Sequence, residues 1–206
     1  MSGLARPRVL SEPPAETEVT ARTVVWAAAR PGASSTRALT LIAVNNEDEW
    51  LRTARRVLVN RPGAIGLLSL GAPVDSDEVS RQLAAAMARL TGKNIGLFPH
   101  WRRWGATAGV VEVLPTNVVV LSPPAPGGDN PVAAVAALEE AVGHARLSFA
   151  HLLLDLAGLP LRHPPTLACA DVLVTLVAPG GVREEHLLAL ERLLPSERNL
   201  GVMLVE

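Results

Sequence analysis

Two stretches of the chain are apolar at nearly every position, and they constrain the fold more than any other feature. Residues 64–70 and 172–177 have the length and composition of strands that bury both faces, a pattern typical of a parallel sheet covered by helices on both sides. Stretches with helical periodicity alternate with these and other short apolar runs. The alternation predicts an α/β fold, a three-layer sandwich around a mostly parallel sheet.

The same pattern places the remaining elements and divides the chain. Residues 1–20 carry Pro, Glu and Ser and are predicted to form a flexible leader. Residues 21–206 are predicted to form a single domain, in which 21–45 hold two short β-prone runs, at 23–28 and 39–44, as an appendage of open placement. Further strands are predicted at 95–98, 117–121, 150–154 and 201–205, and helices at 46–59, 77–90, 132–145 and 184–194.

Composition excludes several classes of function. The formal charge of -1 gives no electrostatic footprint for nucleic acid. Charged residues or prolines interrupt each apolar run well before the roughly 18 residues that a membrane span needs. A single cysteine, Cys169, excludes an internal disulfide and a cysteine-built metal site. We therefore expect a cytoplasmic protein that binds no nucleic acid or metal and does not insert into a membrane.

The helix predicted at 46–59 carries Glu49, Arg52 and Arg55. Spacings of three and six residues place these side chains within an arc of about 120° on one side of a helix. Such a face either contacts another chain or stays solvated with a local Glu49–Arg52 pair, which is worth a few tenths of a kcal/mol. The spacing alone leaves both interpretations open.

A second motif, Asp75-Ser76-Asp77-Glu78, follows the apolar strand at 64–70. These residue types favour a helix start, because side-chain oxygens cap the first N–H groups and acids complement the helix dipole. The same acids oppose phosphate binding. One carboxylate about 4 Å from a phosphate oxygen costs on the order of 4 kcal/mol at near-surface dielectric. We therefore expect a capped helix here and no specific nucleotide binding.

Two further candidates follow later strands, at the edge where parallel sheets carry functional residues. Trp101, Arg102, Arg103 and Trp104 form an aromatic and basic cluster, and both residue types are enriched at protein–protein hot spots. The cluster either binds a partner, or its tryptophans pack on helices while its arginines are solvated. Asp155 directly follows the strand predicted at 150–154. It is a lone aspartate, and we expect it to cap or buttress the loop that comes next.

These segments occur in the same order as the motifs of the kinase domain of bacterial tyrosine autokinases, which this chain resembles over about residues 47–206. That family belongs to the deviant-Walker P-loop class, together with the partition and Min-type ATPases. The resemblance implies that Glu49, Arg52 and Arg55 match a ring-forming E-x-x-R-x-x-R motif. It also implies that Ser76 and Asp77 stand where the family has its phosphate-binding lysine and its magnesium-binding Ser or Thr.

The resemblance further identifies which catalytic groups are missing. Asp75 stands where the family has a glycine, Pro99 and Trp101 stand where it has two aspartates, and Asp155 is the residual Walker B aspartate. Active members phosphorylate tyrosines of their own, whereas this chain contains no tyrosine. The resemblance thus implies a pseudo-kinase or pseudo-ATPase with no catalytic residues and no cofactor.

The expected function is that of a structural or regulatory binding subunit in bacterial polysaccharide assembly or export, for capsule or exopolysaccharide. The implied partners are the protein itself, an active homologue, and the cytoplasmic part of an inner-membrane protein, which would place the chain in the cytoplasm or peripherally at the inner membrane. Two alternatives stay open. One is a degenerate Min- or partition-like positioning protein for a filament, pilus or secretion system, and the other is an active NTPase with a rebuilt site.

Overall fold

The structure is a computed structural model and describes residues 23–27, 40–43, 47–71, 74–106, 108–178, 180–194 and 197–205. The predicted leader, residues 1–20, lies outside these ranges. The strands are β1 (Thr23–Ala27), β2 (Thr40–Ala43), β3 (Ala64–Leu70), β4 (Ile95–Phe98), β5 (Gly109–Leu114), β6 (Val118–Ser122), β7 (His151–Asp155), β8 (Val172–Val177) and β9 (Asn199–Val205). The helices are α1 (Glu47–Leu58), α2 (Ser76–Thr91), α3 (Pro131–Ala145), α4 (Pro164–Ala168) and α5 (Glu184–Leu193), with a 3₁₀ turn at Trp101–Arg103.

All the described strands join one sheet in the order β2-β1-β9-β8-β3-β7-β4-β6-β5. The six central strands, from β9 to β6, run parallel, whereas β5, β1 and β2 pair antiparallel at the two sides. The prediction of an α/β sandwich with a mostly parallel sheet is therefore confirmed. The order also places β3 between β7 and β8, so the loop after β3 lies in the middle of one sheet edge.

The sheet is covered on both faces, which explains why its central strands are apolar throughout. On one face, α1 and α2 cover a core that includes Leu67, Leu83 and Leu153. On the other face, α3 and α5 cover a core that includes Leu138 and Leu154. Because successive residues of a strand point to opposite faces, each central strand contributes to both cores.

The strands that the sequence left open or missed lie at the sides of the sheet. The two β-prone runs of the appendage form β1 and β2, and β1 extends the sheet by pairing antiparallel with β9. The strand β5 and the short helix α4 were not predicted. Most residues of β5 are exposed, so the burial that gives the central strands their apolar pattern is missing there.

Candidate functional site

The loops after β3, β4 and β7 meet at one edge of the sheet, because the carboxyl ends of neighbouring parallel strands coincide. The loop after β3 leads into α2, and Asp75 caps that helix by accepting a hydrogen bond from the Glu78 N–H at 3.3 Å. The predicted helix start is confirmed. The same edge receives the 3₁₀ turn after β4 and Asp155 at the end of β7.

Ser76 and Asp155, far apart in sequence, form a direct buried contact at this edge. The Ser76 hydroxyl donates to Asp155 Oδ2 at 2.6 Å, and the Ala157 N–H donates to Asp155 Oδ1 at 2.9 Å. The Asp155 residue is only 1% exposed. Both carboxylate oxygens are therefore occupied by groups of the chain itself, and the bond to Ala157 fixes the start of the loop after β7.

The environment of Asp155 disfavours its charged form. Burial raises the pKa of Asp155, and the nearby Asp77 adds to the effect, although hydrogen bonds from Ser76 and Ala157 and the field of His100 act in the opposite direction. A carboxylate that is costly to ionise is a poor ligand for a hard cation, which prefers charged oxygen donors.

Asp77, in the first turn of α2, forms ion pairs with two arginines. Arg103 forms an ion pair with Asp77 Oδ2, and Arg81 Nε lies 3.5 Å from the same oxygen. Arg81 also contacts Glu112 of β5 at 3.5 Å. The carboxylate at the N-terminus of α2 thus lies beside the 3₁₀ turn, and two guanidinium groups balance its charge.

The described residues at this edge do not offer the groups that usually bind a nucleotide phosphate. A phosphate cradle needs converging backbone N–H groups and a lysine. Here the Ser76 hydroxyl is used by Asp155, and the first turn of α2 carries the acidic side chains of Asp77 and Glu78. Within the described ranges, no group of three His, Cys, Asp or Glu side chains is arranged to hold a metal ion.

The aromatic and basic cluster divides into buried and exposed parts. Trp101 and Trp104 lie in the core, and Trp104 Nε1 donates to the Pro99 carbonyl at 2.9 Å. Arg102 covers the Trp101 ring at 5.3 Å and pairs with Asp129 at 3.2 Å. Of the two arrangements that the sequence allowed, the structure has buried tryptophans and exposed arginines. The surface available to a partner is therefore formed by Arg102 and Arg103.

Sequence reasoning missed the contact between the 3₁₀ turn and the loop after β7. Gly158 has a left-handed backbone (φ 74°), and a Cβ there would lie 3.0 Å from His100 Nε2 and 3.3 Å from Trp101 Nε1. Trp101 Nε1 is buried and has no hydrogen-bond acceptor within the described part of the chain. Neither Gly158 nor His100 stands out by spacing, because the contact depends on two strands that are adjacent only in the sheet.

The α1 residues lie away from this edge, on the helical layer formed with α2. Glu49 is buried and accepts a hydrogen bond from Arg52 at 3.3 Å, whereas Arg52 and Arg55 are exposed. Thr53 and Val57 are buried on the same helix. The local pair therefore exists, and the two arginines remain available for contact with another chain.

The order of the strands and the helical layers on both faces are consistent with a P-loop NTPase-like sandwich. The solved structure of "the chimerical protein CapA2B2" is similar to this chain, with a TM-score of 0.61 and 12% sequence identity over 76% of this chain and 83% of that one. At this identity the likeness shows the fold alone. A scan against protein-family models and a search of curated proteins found no match. Within the described residues, each helix is too short or too polar to cross a membrane.

Proposed function

We propose that this protein is a catalytically inactive member of the P-loop-like fold that acts as a structural or regulatory binding subunit, in the assembly or export of bacterial polysaccharide. The context comes from the resemblance to tyrosine autokinases, and the P-loop-like fold supports that resemblance at the level of architecture. The proposed partners are further copies, an active homologue, and the cytoplasmic part of an inner-membrane protein.

The observation that carries the proposal is the 2.6 Å hydrogen bond between Ser76 and Asp155. In an active relative these two positions would hold the lysine and the aspartate that serve phosphate and magnesium. Here they bind each other, and Asp77 forms an ion pair with Arg103 beside them. The chain's own carboxylates thus occupy the positive end of α2, where a nucleotide phosphate would otherwise be placed.

Calorimetric titration with ATP or GTP in the presence of magnesium tests the inactive state. We expect no binding tighter than roughly millimolar, which corresponds to about -4 kcal/mol. A triple variant, Asp75→Gly, Ser76→Lys and Asp77→Thr, should gain affinity if these positions alone prevent binding, and Asp129→Asn serves as a charge control outside the loop. A micromolar dissociation constant for the unmodified protein would overturn the proposal.

The binding role is tested separately, by measuring association with an active homologous kinase domain and with the cytoplasmic segment of its membrane partner. Charge reversal at the exposed pair, Arg102→Glu with Arg103→Glu, should weaken that association. Reversal at Arg192, which is also exposed but lies on α5, should leave it unchanged. Equal loss in both variants, or no loss in either, would count against this surface.

A further inference from the structure

The outer edge of β5 is a second exposed surface, and it lies outside the candidate site. Among the described strands, β5 pairs only with β6. Its valines Val110, Val111 and Val113 are 60%, 63% and 66% exposed. Sheet edges are normally protected by lysine, proline or a covering segment, since unpaired backbone groups attract other strands. The sequence of β5, GVVEVL, contains neither lysine nor proline.

The one charge on β5 does not protect this edge. Glu112 contacts Arg81 at 3.5 Å, and Arg81 belongs to α2, so the carboxylate is directed towards the helical layer that α2 forms. Arg81 contacts Asp77 as well. Two β5 edges that approach each other therefore present apolar side chains, while each Glu112 is directed towards α2 of its own molecule.

A β-bulge in the strand determines which register such an approach allows. Val110 lies opposite Leu121 and Val113 lies opposite Val119, whereas the register shifts between Val110 and Glu112. Since Val119 and Leu121 are two residues apart, they share one face of the sheet. The bulge thus places Val110 and Val113 on the same face, although three residues separate them in sequence.

Because Val110 and Val113 share one face of the sheet, β5 can pair with a second copy of itself in one antiparallel register. Residues that lie opposite each other across two strands must share a face. That condition is met when Val110 of one copy faces Val113 of the other, and Gly109 then faces Leu114. Shifting the register by one residue would place Val110 opposite Glu112 or Leu114, which belong to the other face. In the matched register Glu112 faces Val111, so the two acids are not directly opposite.

We propose that β5 pairs with β5 of a second copy, about a two-fold axis between Val111 and Glu112, to form a sheet that continues through both molecules. The contact is isologous, because each strand contributes the same surface. A single short strand gives an interface at the small end of specific contacts, which are typically transient. The dimer is therefore expected to be weak and dependent on concentration. This inference does not depend on the proposed function.

The first test measures molecular mass against concentration by sedimentation, for the full chain and for variants. Val110→Lys or Val113→Lys should raise the dimer dissociation constant by about tenfold or more, because each lysine then lies opposite a valine of the other copy and brings an unpaired charge into the contact. Val59→Lys is the matched control, since Val59 is a 74% exposed valine that follows α1 and belongs to no strand of the sheet. Circular dichroism and thermal unfolding should remain unchanged in all three.

The second test examines the register by disulfide formation. Oxidation of a mixture of the Val110→Cys and Val113→Cys proteins should give a crosslinked heterodimer, while either protein alone should crosslink much less. Burial raises the pKa of the native Cys169 thiol to about 11, so that thiol contributes little background at neutral pH.

Three results would overturn the proposal. The first is a protein that stays monomeric at every accessible concentration, and the second is a dimer that the β5 lysine variants do not weaken. The third is equal crosslinking in the mixture and in the separate proteins.

Discussion

At the scale of single residues, Asp155 shows how a carboxyl group is incorporated into the core. Its carboxyl is 1% exposed, accepts bonds from Ser76 and Ala157, and lies near His100. The hydrogen bonds favour the charged form, but burial outweighs them and the pKa of Asp155 is raised. The protein therefore retains an acid that is most compatible with the fold when it carries its proton.

We predict that Asp155→Asn stabilises the protein at neutral and alkaline pH, by on the order of 1 kcal/mol. Because the folded pKa lies above the unfolded value of 3.8, the wild type is favoured below that value and loses stability as the pH rises through the folded pKa. Asparagine does not ionise, and its oxygen can accept from the Ala157 N–H while its NH2 group donates to the Ser76 hydroxyl. The gap between variant and wild type should therefore widen from about pH 4 upwards, as measured by urea unfolding across a pH series.

Asp171 provides a matched control, because its pKa is shifted in the opposite direction to that of Asp155. Burial alone would raise its pKa, but hydrogen bonds from Arg146 and the Ala64 N–H outweigh burial and hold the pKa of Asp171 below its usual value. Its stabilising effect is present above the unfolded pKa and is lost as the pH falls through the folded one. Asp171→Asn should thus destabilise the protein at neutral pH. A loss of stability in both variants would contradict this account of Asp155.

At the scale of secondary structure, the sequence predicted the elements that bury one or both faces. The apolar runs of β3, β4 and β8 and the periodicity of α2 and α3 follow directly from burial, and their bounds agree closely with the structure. The strand β5 has the valines typical of a strand but not the burial of the central strands, and α4 is a single short turn that begins with prolines. Neither element was predicted.

The candidate site was predictable only in part, for a related reason. The cap at Asp75 is local and was predicted, whereas the contacts Ser76–Asp155 and Arg103–Asp77 join segments that meet only after the sheet forms. The segment around Trp101 does not show whether this side chain is buried. Its burial depends on residues from other elements that join the same core only in the folded chain. Periodicity reports which residues are buried within an element, but not which loops become neighbours.

The 3₁₀ turn after β4 leads to a prediction about stability. Trp101 is buried in the core, and replacing a buried tryptophan by alanine typically costs about 3–5 kcal/mol. Arg102 is exposed and contributes a cation–π contact worth about 0.5–1 kcal/mol at such a site. We therefore expect Trp101→Ala to lower the midpoint of urea unfolding strongly and Arg102→Ala to lower it slightly. Similar midpoints for the two variants would show that Trp101 is not part of the core.

At the scale of the whole molecule, the surfaces suited to contact lie on different sides of the sandwich. The arginines after β4 lie at the carboxyl edge of the parallel strands, β5 forms a lateral edge, and α1 lies on the layer that it shares with α2. Contacts through α1 and through β5 therefore do not compete for the same residues. Variants on each surface can be combined to separate their effects on assembly.

The last prediction concerns the exposed arginines of α1. Arg52→Glu with Arg55→Glu should lower the mass of any larger assembly measured by light scattering, alone or with an active homologue, because both side chains are exposed on the face that resembles a ring-forming motif. The fold should persist, since the Glu49–Arg52 pair is worth only a few tenths of a kcal/mol. Arg183→Glu with Arg192→Glu makes the same change in net charge at exposed positions at the start of α5 and within it. Equal effects of the two pairs, or a wild type that stays monomeric and ignores homologues, would contradict a ring contact through α1.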